Sequence, residues 1–452
     1  MGVRIGDRAI VLGGSMAGLL AARVLADAYD EVLVVDRDKL TGVTAARRGV
    51  PQGRHVHGLL ARGQQILDEL FPGFTESAIA SGIPTGDLGE LRWYFGGQRL
   101  QPKATGLLCV SAARPVLESR VRDRVAALPA VRFVEETDIL HLLTTTGKDR
   151  VIGVRVRAQS DGTETELGAD LVVDATGRGS RLPAWLEELG YSRPEETKVK
   201  IDLSYTTRHY RGWDDDVLAG DLSINPVSTP ASPRGAFFSR IEDGRGVLSL
   251  TGVLGDSAPA DHEGFMDFVR SLPVPDVYDL IKDAEPLDDP VSFRYPASVR
   301  RHYERLDRFP ADLLVVGDAA CSFNPVYGQG MTVSALEALE LRRHLEKGAA
   351  PEPKVWLGDI AKVIDVPWDI SAGGDLSFAD VPGKRDVKTK LANAYMAKLQ
   401  AAATVDGELT RTFMRVAGLV DPPQALMSPR TVVRALRGSR RASAEAPQQK
   451  AA

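Results

Sequence analysis

Three glycines and a serine fall within six residues in Gly13-Gly14-Ser15-Met16-Ala17-Gly18, between the apolar run Ala9 to Leu12 and the alanine- and leucine-rich stretch Leu19 to Leu25. A run of this kind can wrap a phosphate. Gly13 permits a tight turn, a small third residue lets the backbone approach a pyrophosphate, Gly18 lets helix and strand close up, and the helix start offers unpaired amides to the anion. Ser15 replaces the middle glycine of the usual pattern, and its hydroxyl can donate to a phosphate in its place. A second apolar run, Glu31 to Val35, ends at Asp36, roughly 20 residues beyond Gly13, the offset of an acid that bonds a ribose hydroxyl. The order predicts strand, turn, helix and strand, with a dinucleotide at the turn.

A second glycine-rich segment follows much later. Leu313 to Val316 predicts a buried strand, after which come Gly317-Asp318 and Asn324-Pro325-Val326-Tyr327-Gly328-Gln329-Gly330-Met331, then a helical stretch to Leu345. This second site suits a flavin better than a nicotinamide. Asp318 can hydrogen-bond a ribityl chain, and the positive end of a helix starting after Gly330 can face the N1 and C2 carbonyl edge that becomes negative on reduction.

Together with Asp174-Ala175-Thr176-Gly177-Arg178-Gly179-Ser180-Arg181, these segments resemble the three fingerprints of the single-component FAD-dependent monooxygenases of the para-hydroxybenzoate hydroxylase fold, in the right order over roughly residues 8 to 345. The resemblance implies FAD as cofactor, NADH or NADPH as reductant, and a C4a-hydroperoxide formed with O2 that passes one oxygen atom to the substrate. It assigns cofactor contacts to Gly13, Gly14, Ser15, Met16, Ala17, Gly18, Asp36, Arg37, Arg48, Arg114, Asp318, Pro325, Gly328, Gln329, Gly330 and Met331. Arg114, which opens the helix-like stretch Pro115 to Arg122, corresponds to an arginine on the FAD phosphates.

The departures narrow the expectation. Cys321 and Asn324-Pro325 stand where hydroxylases of the family commonly carry a histidine and a Pro-Pro pair. Residues 48 to 60 resemble a branch acting on biosynthetic intermediates, which includes polyene epoxidases and FAD-containing cyclases whose flavin is structural. Hydroxylation or alkene epoxidation of a hydrophobic intermediate is expected, with a non-oxidative cyclase as the alternative. Trp93, Trp185, Trp213, Trp356 and Trp368 form no W-x-W pair, which disfavours a flavin halogenase.

His55 and His57 have an H-x-H spacing, and on a strand both would share one face as metal ligands do. No third ligand accompanies them, so no metal is expected, and with Arg48 and Gln52 nearby they suit a loop lining the cleft. His57 and Tyr327 are candidates for catalysis by position alone. Cys321, between Ala320 and Phe323, suits packing rather than nucleophilic chemistry.

The chain of 452 residues carries 56 Lys plus Arg against 61 Asp plus Glu, a net charge of -5 that excludes a global basic field for nucleic acid. Apolar runs are short, so no transmembrane segment is expected, and with only Cys109 and Cys321 present neither is a structural disulfide. The expected location is cytoplasmic and the expected state a monomer or homodimer. The fold class is α/β: an FAD-binding Rossmann-like domain of the GR2/PHBH type (residues 1–78, 110–190 and 296–350) interleaved with a mixed-sheet substrate domain (79–109 and 191–295) that carries Tyr205, Tyr210, Trp213, Phe237, Phe238 and Tyr295. A helical C-terminal segment (351–441) and a disordered tail (442–452) complete the expected organisation.

Overall fold

The computed structural model describes residues 4–211 and 221–449. Strand β1 (Gly6–Leu12), helix α1 (Met16–Leu25) and strand β2 (Tyr29–Val35) follow the order expected from the glycine-rich turn. The two strands pair in parallel at the centre of a five-stranded sheet. Leu171–Asp174 lies on the other side of β1 with Leu313–Val315 beyond it, and Val131–Val134 lies outside β2. Each pairing in this sheet is parallel. The strands read as unbroken apolar runs because helices cover both faces.

Register decides where the site falls. Leu12 sits opposite Val35 and Asp174, and Asp174 opposite Val315, so these strands end at one level. The loops leaving that edge begin at Gly13, Asp36, Ala175 and Val316. They are the segments picked out by motif, and they open where parallel sheets bind ligands, beyond the carboxyl ends of their strands. Val131–Val134 belongs to this sheet, and Thr137–Thr144, Val151–Ala158 and Glu164–Gly168 form a separate antiparallel meander.

A second, eight-stranded sheet is centred on Leu203–Arg211, Arg245–Gly252 and Arg234–Arg240. Ser223–Val227 continues it to Arg92–Phe95 by a parallel pairing. Strand alternation gives this sheet two characters. One face, with Tyr210, Phe238, Leu248 and Leu250, is buried against the helices His262–Arg270 and Asp276–Ile281. The other carries Tyr205, Thr207, Ser249 and Thr251, all buried. Trp213 lies outside the described residues.

The C-terminal part is helical, as Pro353–Asp375, Val387–Ala403, Gly407–Ala417 and Pro429–Gln449. The segment from Ala442, expected from its composition to be disordered, continues as helix to Gln449, because alanine and glutamate propagate a helix already begun.

Two glycines set opposite expectations. A Cβ on Gly18 would lie 1.8 Å from the Gly13 carbonyl oxygen, which is backbone and cannot yield cheaply, whereas a Cβ on the helical Gly358 would meet nothing within 4 Å. Gly18→Ala should destabilise by about 2 kcal/mol or more, and Gly358→Ala should stabilise by about 0.5–1 kcal/mol, both read from urea midpoints.

Candidate functional site

The glycine turn is built around backbone proximity. Gly13 has φ of +102°, and a Cβ there would stand 2.5 Å from the Ala175 carbonyl oxygen. Ser15 is the N-cap residue of α1 but makes no cap hydrogen bond. Its hydroxyl instead donates to Glu118 Oε2 at 2.7 Å, so the first amides of α1 have no side-chain cap. Asp36 is buried and accepts from the Gly14 amide at 2.6 Å and the Asp38 amide at 2.8 Å. It therefore clamps the glycine turn itself, and burial raises its pKa against those bonds.

Glu118, 3 % exposed, is the electrostatic centre of this end. Arg47 Nη2 reaches its Oε1 at 2.6 Å, Arg114 Nη2 its Oε2 at 2.8 Å, and Arg122 Nη1 its Oε1 at 3.5 Å. Burial alone would raise its pKa, but Arg114 and Arg47 overcome that and bring it down to about 2. Arg47 also reaches Asp38 at 3.1 Å and the Gly14 carbonyl at 3.3 Å. Of the arginines picked out by sequence, Arg114 is buried in this cluster, while Arg37 and Arg48 are exposed. Arg47 was missed because nothing local distinguishes it from Arg48. Only the buried carboxylate beside it selects one of the pair.

The far end of the cleft is the loop from Gly317 to Gly330. Gly317 has φ of +63° and donates its amide to the buried Glu337 Oε2 at 2.6 Å. Asp318, next in the chain, is held up at a pKa of about 6 by burial, with Arg178, Arg301 and Arg114 pulling the other way. Arg301 braces the neighbouring loops through the carbonyls of Ala319, at 2.9 Å, and Arg178, at 3.1 Å. Asn324 Oδ1 accepts from the Val326 amide at 3.0 Å and caps the turn Pro325–Tyr327. Gly328 follows at φ +65°, and the Gly330–Leu345 helix begins with no side-chain cap. Pro325 is exposed, Gln329 and Met331 are buried, and Tyr327 is half-buried.

The two histidines do not share a face, because the segment is irregular rather than a strand. His55 is buried, with Nδ1 2.7 Å from Thr207 Oγ1, and its ring lies against Tyr205 and Phe293. It docks the loop onto the second sheet. His57 donates from Nδ1 to the His55 carbonyl at 2.9 Å, which leaves Nε2 free. Burial, with the Arg114 charge, lowers its pKa to about 3. Cys321 is buried and its thiol is pushed well up by burial, the opposite of what a nucleophile needs. Away from the cleft, Glu340, His344 and Asp359 bring three ligand-type atoms together, but Arg343 already pairs with both carboxylates and Lys362 with Asp359.

These residues fit FAD on grounds independent of motif. Arg114 Nη1, whose guanidinium bonds Ser15 beside the glycine turn, and Gln329 Oε1, in the second glycine-rich segment, are buried without a hydrogen-bond partner. The helices that start there lack side-chain caps, and a Cβ on Gly330 would meet nothing within 4 Å. A phosphate and a flavin edge would supply the missing partners.

The buried acids set a pH dependence. Burial, reinforced by Asp318, lifts Glu337 to about 8. A carboxyl whose folded pKa exceeds its unfolded value stabilises fully below the unfolded value, and that stability is lost as pH rises through the folded one. Apoprotein stability should therefore fall between about pH 5 and about pH 8, and Glu337→Gln should remove roughly 1–3 kcal/mol of that fall in urea titrations at several pH values.

No protein-family model matches the chain. It is 35 % identical over 436 residues to Protein Rv3254 of Mycobacterium tuberculosis (strain ATCC 25618 / H37Rv), covering 92 % of this chain and 90 % of that protein. It is 28 % identical over 355 residues to a kynurenine 3-monooxygenase of Salinispora arenicola, covering 73 % of this chain and 70 % of that one. Among solved structures, a flavoprotein/dehydrogenase from Cytophaga hutchinsonii superposes with a TM-score of 0.68 at 15 % identity, covering 96 % of this chain and 98 % of that one. Likeness along nearly the whole length places the chain in the same family as Protein Rv3254, and the superposition shows that it shares the fold of the solved flavoprotein.

Proposed function

We propose that the enzyme takes electrons from NADH or NADPH onto bound FAD and transfers one oxygen atom of O2 to a hydrophobic biosynthetic intermediate, by hydroxylation or alkene epoxidation. The observation that carries this reading is the pair of unsatisfied buried groups, Arg114 Nη1 beside the first glycine-rich turn and Gln329 Oε1 in the second. Likeness to a kynurenine 3-monooxygenase supports oxygen transfer over non-oxidative cyclisation.

Bound FAD supplies the redox and oxygen chemistry. The chain's own residues bind, orient and exclude water. Arg114 and the amides of Met16 to Gly18 would hold the pyrophosphate. Asp318 would take a ribityl hydroxyl, and the start of the Gly330–Leu345 helix would face the pyrimidine edge, where its dipole stabilises negative charge. His55, hydrogen-bonded to Thr207 and through it to Ser249 at 2.6 Å, fastens the 55–60 segment to the second sheet and closes that side to solvent.

Anaerobic mixing of the flavin-loaded enzyme with NADH and with NADPH, in the presence of a panel of phenols and polyenes, tests the proposal. Bleaching of the flavin absorbance is expected with at least one combination. A flavin that stays oxidised throughout would favour a cyclase in which FAD only shapes the pocket. Arg114→Lys, which keeps the charge but loses the second guanidinium nitrogen, should weaken FAD binding about ten-fold in fluorescence titrations.

A further inference from the structure

Asp375 is the last residue of the Pro353–Asp375 helix, far in sequence from either glycine-rich loop, and its side chain is 1 % exposed. It nevertheless holds the flavin-end loop by two side chains. Asn324 Nδ2 donates to Asp375 Oδ1 at 2.8 Å, and the Tyr327 hydroxyl donates to the same oxygen at 3.3 Å. Asn324 uses its own Oδ1 to cap the Pro325–Tyr327 turn, so the carboxyl fixes the turn through the residue that shapes it. Room for this is made by Gly374, where a Cβ would stand 2.2 Å from the Tyr327 hydroxyl.

The other oxygen, Oδ2, is buried with no hydrogen-bond partner, and so is the hydroxyl of Tyr205 on the neighbouring sheet. Tyr327 from the loop and Tyr205 from the sheet are the titratable groups that face Asp375. Tyr295 lies behind Tyr205 and bonds Ser322, and His55 lies against the Tyr205 ring. Arg385 donates to the carbonyls of Leu376, at 2.9 Å, and Phe378, at 2.7 Å, just beyond the helix end, and the hydrogen bonds that reach the carboxyl come from Asn324 and Tyr327.

We propose that Asp375 is a positioning residue whose own proton sets the pose of the 324–330 loop, and with it the grip of that loop on the flavin. This rests on the assignment of the loop to the flavin end of the cleft. In the protonated form Oδ1 accepts from Asn324 and Tyr327 and Oδ2 carries the proton. Ionisation leaves a buried charge with one oxygen lacking a donor, a cost that is relieved only by moving the donors or admitting water. Both donors sit on the loop, so the loop is what moves. Burial raises this carboxyl to about 7, which places the change near neutrality.

The test uses the full-length holoenzyme, with FAD dissociation constants and visible spectra recorded from about pH 5.5 to about pH 9. Asp375→Asn keeps an acceptor for both donors and cannot ionise, so it should hold the low-pH pose throughout. The wild-type dissociation constant should equal that of Asp375→Asn in acid and exceed it about five-fold above neutrality, with the flavin bands shifting over the same range. Asp375→Ala should bind weakly at every pH. A wild-type to Asp375→Asn ratio that does not vary with pH, or an Asn variant as weak as the Ala variant, would overturn the proposal. Failure of the wild type to bind FAD at any pH would overturn the cofactor assignment beneath it as well.

Discussion

The site depends on one buried carboxylate. Glu118 lies out of water on its helix, and a charge in that position is tolerable only if paired and fully hydrogen-bonded. Arg47, Arg114 and Arg122 supply the pairing and Ser15 a further hydrogen bond. Those partners come from the start of α1, from the segment after β2, and from the helix that carries Glu118 itself. One anion therefore draws three separate pieces of chain together at the carboxyl edge of the parallel sheet. Glu118 engages Arg114 through Nη2 alone, and Nη1 is buried without a hydrogen-bond partner.

The loop from Gly317 to Gly330 is tied down by buried acids as well as by Arg301. Glu337 ties down the Gly317 amide and Asp375 ties down Asn324 and Tyr327. Both are held well above the ordinary carboxylate range by burial, and Arg301 braces the same loops through the carbonyls of Ala319 and Arg178. His55 joins its segment to the second sheet through the hydroxyls of Thr207 and Ser249.

Much of this was legible because it is local. The glycine turn, the apolar strand before it and the helix after it sit within a few residues of one another, and each needs only short-range backbone geometry to be recognised. Asp36 was found by its spacing, though its use in clamping Gly14 was not, since spacing says nothing of which amide a carboxylate meets. The histidine pair was expected on a loop, and its segment is irregular. The irregular backbone sends His55 to the sheet and leaves His57 near Arg114. Arg47, Glu118 and Asp375 were not singled out at all, for their importance arises from burial beside partners distant in sequence, and no periodicity or motif encodes such meetings. The parallel strand order likewise emerged only from pairing, which places Leu171–Asp174 beside β1 across more than a hundred residues.

The central claim is that two loops far apart in sequence grip one flavin dinucleotide. Hydrogen–deuterium exchange with and without one equivalent of FAD tests it directly, read at the amides of residues 13–18 and 317–331. Protection should appear in both segments together and saturate at the same FAD concentration. Protection confined to one segment, or saturating at separate concentrations in the two, would contradict the account.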